Sequence, residues 1–240
     1  MIANDLSKDA LLARLDVGFP PRCLVHAKET AENWERYGGF EKMRDLLLKR
    51  LFDAWRFEWN FYVKSFVLDS AIDRYHLLGF LIERGMLDRK NLEGTVIDVG
   101  CHLGASVDAL ALYGGKVIGT DCGKFACESP SGISILDLEG RRMVRSRFPE
   151  NAELSLVSCF NVDWVEEMPN EGFAVELYQE ALKALEQGGQ VLYTFSERDK
   201  SMHKKLAPLP HSSIIELPNG LDKREKYVFV ATKPSKRTGN

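Results

Sequence analysis

The sequence predicts an α/β protein: a mostly parallel sheet with an antiparallel hairpin at its C-terminal end, preceded by an N-terminal helical segment. Three observations carry this reading. Up to residue 93 the apolar residues recur at helical spacing; from Gly94 short β-rich runs alternate with helix-length segments and glycine pairs; and two β-rich runs near the end flank Pro218-Asn219-Gly220. Alternation of that kind implies βαβ units, whose parallel strands are joined by right-handed crossovers.

The chain divides into a helical cap segment over residues 1–93, a core over 94–234 and a frayed tail over 235–240. Pro20-Pro21 and Gly38-Gly39 break the early part, after which Met43, Leu47, Leu51 and Ala54 predict a helix over about 40–58. Leu48, Phe52, Trp55 and Trp59 give that helix a second apolar row, hence two packing sides. A further helix follows, with Leu68, Ile72, Tyr75, Leu78 and Ile82 on one face and Gly85 near its end. Lying directly before the first strand, residues 40–85 are expected to roof a ligand site.

In the core, Thr95-Val96-Ile97 reads as a strand, Ala105 to Tyr113 as a helix closed by Gly114-Gly115, and Lys116 to Thr120 as a second strand. A third strand is weakly marked at Gly132 to Leu136. Leu154 to Phe160 reads as a strand, Ala174 to Glu186 as a helix stopped by Gly188-Gly189, and Val191 to Phe195 as a strand. Ser213 to Leu217 and Tyr227 to Thr232 make the closing hairpin.

Composition excludes several classes. The chain has 240 residues, 45% hydrophobic and 28% charged, enough for one core and an appendage. A net charge of −3 and a pI near 6.0 supply no basic field to hold the protein on nucleic acid by charge alone. Asp5, Lys8 and Asp9 interrupt any apolar signal core, and no apolar run approaches the roughly 20 residues of a membrane span, so a soluble, cytoplasmic protein without membrane association is expected. Five cysteines (Cys23, Cys101, Cys122, Cys127, Cys159) form an odd set without C-x-x-C spacing, which argues against a disulfide framework and against a bound metal.

The informative stretch is VIDVGCHLGAS, residues 96–106, where a strand runs into a carboxylate, two glycines and a helix start. Glycines at such a junction let a ligand approach unpaired backbone N–H groups closely. A dinucleotide fingerprint, G-x-G-x-x-G, is not met: Gly100, His102 and Ala105 occupy its positions, and the middle glycine that admits a pyrophosphate is missing. Asp98, two residues before the first glycine, would repel phosphates but suits a ligand end bearing a positive amine. Asp121 stands seventeen residues after Gly104, at the end of KVIGTD, where a carboxylate can accept from both hydroxyls of a ribose. An amine at one end and a ribose at the other describe S-adenosylmethionine (SAM).

On these residues the sequence resembles the class I SAM-dependent methyltransferases. Asp98, Gly100 and Gly104 match their D-x-G-x-G-x-G motif with His102 in place of the central glycine, Asp121 matches their ribose-binding acid, and Leu185-Glu186-Gln187-Gly188-Gly189 matches their L-x-x-G-G element. The resemblance spans about residues 94 to 232. It implies a seven-stranded Rossmann-like sheet, SAM as cofactor and S-adenosylhomocysteine (SAH) as product, with methyl transfer by in-line displacement. It places Asp98, Gly100, Cys101, His102, Gly104, Asp121, Cys122 and Asn161 around the cofactor, and Asp137, after the third strand, on its adenine side. The fourth strand ends in SCFNVDW rather than an N-P-P-Y type motif, which argues against methylation of a base's exocyclic amine.

Asp163 and Trp164 follow the fourth strand at the carboxyl edge, where open α/β sheets bind ligands. Asp163 is the candidate for orienting or deprotonating an acceptor, the competing reading being a helix N-cap. His102 is a weaker candidate base, since this loop contributes mainly backbone contacts. Among the aromatics from Trp55 to Tyr62, Trp55, Phe57 and Trp59 suit a core, whereas Tyr62 keeps a polar tip and suits, with Trp164, the acceptor pocket. Cys101 and Cys122 are small fillers, because transfer from a sulfonium needs no covalent enzyme intermediate. Arg141, Arg142, Arg145 and Arg147 read first as a solvated helix face. The expected function is a methyltransferase for a small-molecule acceptor, with nucleic acid disfavoured. The alternatives are an RNA or protein methyltransferase using the arginine cluster and a non-catalytic SAM-binding subunit.

Overall fold

The computed structural model describes residues 61–101, 104–121, 135–137, 153–160, 170–196, 200–218, 221 and 225–235. The helix expected over about 40–58, the arginine cluster at 141–147 and the Asn219-Gly220 turn lie outside them.

Helix α1, Phe61–Glu83, opens the described chain. Tyr75 and Leu78 are buried and Ile82 half-buried, as the apolar spacing requires, and Leu77, Phe80 and Leu81 are buried beside them. The helix stops at Gly85, whose φ of 66° is left-handed. Its N–H donates to the Ile82 carbonyl at 2.9 Å and the Met86 N–H to the Leu81 carbonyl at 2.9 Å, a pair of bonds that closes the last turn and favours glycine between them. A short helix α2, Arg89–Glu93, follows, with Asp88 accepting from the Lys90 N–H at 3.0 Å.

The remaining elements are β1 (Thr95–Val99), α3 (Ala105–Ala111), β2 (Lys116–Asp121), β3 (Ile135–Asp137), β4 (Leu154–Cys159), α4 (Asn170–Ala184), β5 (Leu185–Phe195), α5 (Lys200–Leu206), β6 (Ser212–Glu216) and β7 (Tyr227–Thr232). Among the described residues the strands form one mixed sheet in the order β3-β2-β1-β4-β5-β7-β6. Strands β1 to β5 pair in parallel, while β7 pairs antiparallel with both β5 and β6. Strand order reverses at β1, which has β2 on one side and β4 on the other.

Alternate residues feed two apolar layers, as a pleated strand covered on both faces demands. Val96, Leu156, Leu192, Val228 and Val230 pack beneath α1 and α3; Ile97, Val99, Val157, Val191 and Phe195 pack against α4 and α5. Helix α1 meets α3 through Tyr75, whose ring stacks on Tyr113 at 5.1 Å and whose carbonyl accepts from the Tyr113 hydroxyl at 3.1 Å. At the amino end of the sheet, Gln190 accepts from the Asp88 N–H at 2.8 Å and the Asn91 amide at 2.9 Å, and donates to the Met86 carbonyl at 2.8 Å. That network fastens the α1–α2 connection to β5.

Two elements differ from the sequence expectation. Gly188-Gly189 does not end a helix. Helix α4 runs from Asn170 to Ala184, and both glycines lie inside β5, where Gly188 has φ of 80° and the pairing with β4 shifts register between Leu154 and Leu156. They form a bulge: a Cβ on Gly189 would lie 3.0 Å from the Leu154 carbonyl. Strand β3, Ile135–Asp137, falls at the end of the weakly marked stretch, whose residues 132–134 lie outside the described ones. Helix α5 was not expected, because Met202 and Leu206 are its buried apolar residues and lysines fill most of the rest. No helix among the described residues is long and apolar enough to cross a membrane.

Candidate functional site

The carboxyl ends of β1 and β2 meet the start of α3 through a tight glycine loop. Gly100 and Gly104 have φ of 70° and 80°, left-handed values that strain any residue with a Cβ. The loop is pinned to the end of β2: the N–H groups of Gly100 and Cys101 donate to the Thr120 carbonyl at 2.8 and 3.1 Å, and the Gly104 N–H donates to the Cys101 carbonyl at 2.9 Å. The Thr120 hydroxyl in turn donates to the Asp98 carbonyl at 3.2 Å.

Asp98 lies under this loop and is fully buried, with 0% of its surface exposed. In register it stands beside Ser158 of β4, whose hydroxyl donates to Oδ1 at 2.7 Å. Its other oxygen, Oδ2, accepts from the hydroxyl of Ser106 in the first turn of α3. One carboxylate thus joins β1, β4 and α3. Burial is the main influence on its acidity and pushes its pKa up to about 7; the two hydroxyls and the Arg74 guanidinium oppose that rise, and Asp121 adds to it.

Asp121 ends β2 on the next strand, nearly buried, and pairs in register with Asp137 at the end of β3. Cys101 follows Gly100 in the loop; burial, reinforced by the charges of Asp98 and Asp121, pushes its thiol far up, so it remains a thiol at neutral pH. Among the described residues no group of three or more His, Cys, Asp or Glu side chains is arranged to hold a metal ion.

Helix α1 brings polar residues to the same edge. Ser70, Asp73 and Arg74 fall at i, i+3 and i+4 and are all buried, continuing toward the edge the face on which Leu77 packs. The Arg74 guanidinium lies 5.0 Å over the ring of Phe160, the residue after β4, and its Nη2 stands 3.5 Å from a carboxylate oxygen of Glu225, just before β7. Helix α1, β4 and the approach to β7 therefore converge beside Asp98.

Of the residues singled out in the sequence, the structure brings together Asp98, Gly100, Cys101, Gly104 and Asp121. The backbone of Asp137 stands next to Asp121, and Tyr62 lies in the first turn of α1. His102, Cys122, Asn161, Asp163 and Trp164 lie outside the described residues. Sequence reasoning missed Arg74, Ser106, Ser158 and Glu225. A signal for Arg74 existed: polar Ser70, Asp73 and Arg74 share helical spacing with Leu77 in a helix whose neighbouring rows are apolar. No comparable signal marks the two serines, which only the strand register and helix start bring to one carboxylate.

No protein-family profile matches the chain, and no curated protein sequence does. Its fold is similar to that of magnesium protoporphyrin IX methyltransferase from Synechocystis PCC 6803 with bound SAM, at 16% identity and a TM-score of 0.49, over 76% of this chain and 90% of that one. It is similar also to an rRNA methylase from Streptococcus thermophilus, at 12% identity and a TM-score of 0.44, over 61% and 94% of the two chains. A third similar structure is the O-methyltransferase TomG from Streptomyces achromogenes in complex with SAM, at 14% identity and a TM-score of 0.43, over 61% and 76%.

Proposed function

We propose that the chain is a SAM-dependent methyltransferase that acts on a small-molecule acceptor. One observation carries the reading: two buried carboxylates, Asp98 and Asp121, stand on adjacent parallel strands at the switch point of the sheet, on either side of a loop with two left-handed glycines. The donor set fits SAM. A buried acid beneath the loop favours a ligand with a cationic end, and an acid at the end of β2 suits a vicinal diol.

Bound there, SAM supplies a methyl group on an electrophilic sulfonium. The chain's own residues bind, orient and exclude water. Gly100 and Gly104 let the ligand lie against the backbone, and Asp121 accepts from both ribose hydroxyls. Asp98 acts on the cationic end by its charge, from below the loop. Asp137, beside Asp121, serves the adenine side, with Cys101, His102, Cys122 and Asn161 completing the cofactor's surroundings.

Arg74, Phe160 and Glu225, buried beside Asp98, are assigned to the acceptor side, and a net charge of −3 supports a small acceptor rather than nucleic acid. Asp163, Trp164 and Tyr62 are assigned to that acceptor, Asp163 to orient it or take its proton. Most of the rate then comes from positioning. Thermal melting tests the cofactor: SAM and SAH, each at about 100 times its Kd, should stabilise the protein by roughly 2.7 kcal/mol, and NAD and NADP should not. Stabilisation by NAD alone contradicts the assignment.

A further inference from the structure

We propose that Ser106 and Ser158 are positioning residues for the cofactor, acting through Asp98: they clamp the glycine loop to β1 and β4 and hold the Asp98 carboxylate as an anion beneath the ligand's cationic end. The inference rests on the methyltransferase reading above and extends it to two residues that donate hydrogen bonds to Asp98.

The geometry carries it. Each Asp98 oxygen takes its own hydroxyl, one from β4 and one from the first turn of α3, and with 0% of Asp98 exposed, bulk water does not solvate the carboxylate in their place. A carboxylate in that position keeps its charge only if donors compensate for lost hydration. Among the described residues, two charged groups act on it. Arg74 on α1 favours the anion, whereas Asp121 on β2 opposes it; the Cys101 thiol after β1 stays neutral at ordinary pH. Asp108, also on α3, is turned about 200° around the helix from Ser106. With the pKa already pushed up to about 7, the two hydroxyls decide whether Asp98 is charged in the physiological range. Without one of them Asp98 holds a proton that a cationic ligand must first expel, and binding becomes weaker and more dependent on pH.

The test is SAM affinity by titration calorimetry, from about pH 5.5 to about pH 9.5, for the wild type, Ser158→Ala, Ser106→Ala and Ser158→Thr. Wild-type affinity should fall as pH drops below about 7. Each alanine variant should move that fall upward by roughly one to two pH units, a loss of about five- to fiftyfold at pH 7 that narrows toward pH 9.5. Ser158→Thr, which keeps a hydroxyl, should restore the wild-type profile. If Ser158→Ala does not fold, Ser106→Ala carries the test. A loss of equal size at every pH, or no loss, overturns the inference while leaving the cofactor reading intact. A wild type that binds SAM at no pH overturns both.

Discussion

The guanidinium of Arg74 lies between the ring of Phe160, 5.0 Å below it, and the carboxylate of Glu225, 3.5 Å away, with both charged side chains almost fully buried. Removing one partner of such a pair leaves a buried charge without its counterpart, which typically costs about 3–5 kcal/mol. Arg74→Met should therefore destabilise strongly in urea denaturation, while Arg74→Met with Glu225→Leu should recover most of the loss. A double variant no more stable than the single one would show that the two residues are not coupled.

Gly115 precedes β2, and a Cβ there would lie 2.2 Å from the Leu92 carbonyl oxygen and 2.8 Å from that of Gly94. Backbone cannot move aside as a flexible side chain does. Gly115→Ala should cost about 1–3 kcal/mol or more by denaturant titration. Gly114→Ala meets no atom within 4 Å and is strained only by its φ of 101°, so it should cost about 1–2 kcal/mol. Equal stability of Gly115→Ala and wild type would mean that α2 does not abut the start of β2.

Asp98 links stability to pH with a definite sign. Its pKa is raised in the folded protein to about 7, against about 4 for an unfolded aspartate. Between those values the folded state holds a proton that the unfolded state has lost. The contribution to stability is complete below about pH 4 and is lost as pH rises through about 7. Asp98→Asn carries no such proton, so in paired urea titrations the variant should gain on the wild type between about pH 4 and about pH 7. A gap that closes in the opposite direction contradicts the burial of Asp98 as the ruling influence.

Much of this fold was legible in the sequence because its signals are local. Thr95–Val99, Lys116–Asp121 and Tyr227–Thr232 are runs of β-branched and aromatic residues bounded by turn formers, and they appear as strands within two residues of where the pattern puts them. Gly85 marks the end of α1 because the left-handed turn there favours glycine. What was not legible depends on distant pairing. The glycine pair Gly188-Gly189 has the composition of a helix stop, yet its role as a bulge is set by register against Leu154, and Ser158 meets Asp98 only because β4 lies beside β1. In the site, the loop glycines and both acids carry a sequence signal of their own, whereas Arg74 and Glu225 are brought together across 151 positions of chain.

The central claim is that a ribose-bearing, cationic ligand lies across the ends of β1 and β2. Titration calorimetry of SAM and of SAH into wild type and Asp121→Ala, with the exposed Glu93→Ala as control, tests it most directly. Each hydrogen bond to a charged carboxylate is worth roughly 1.5–3 kcal/mol. Asp121→Ala should then weaken both ligands by about tenfold to a few hundredfold, and Glu93→Ala should leave them unchanged. Equal affinities for wild type and Asp121→Ala would place the ribose elsewhere and contradict the account.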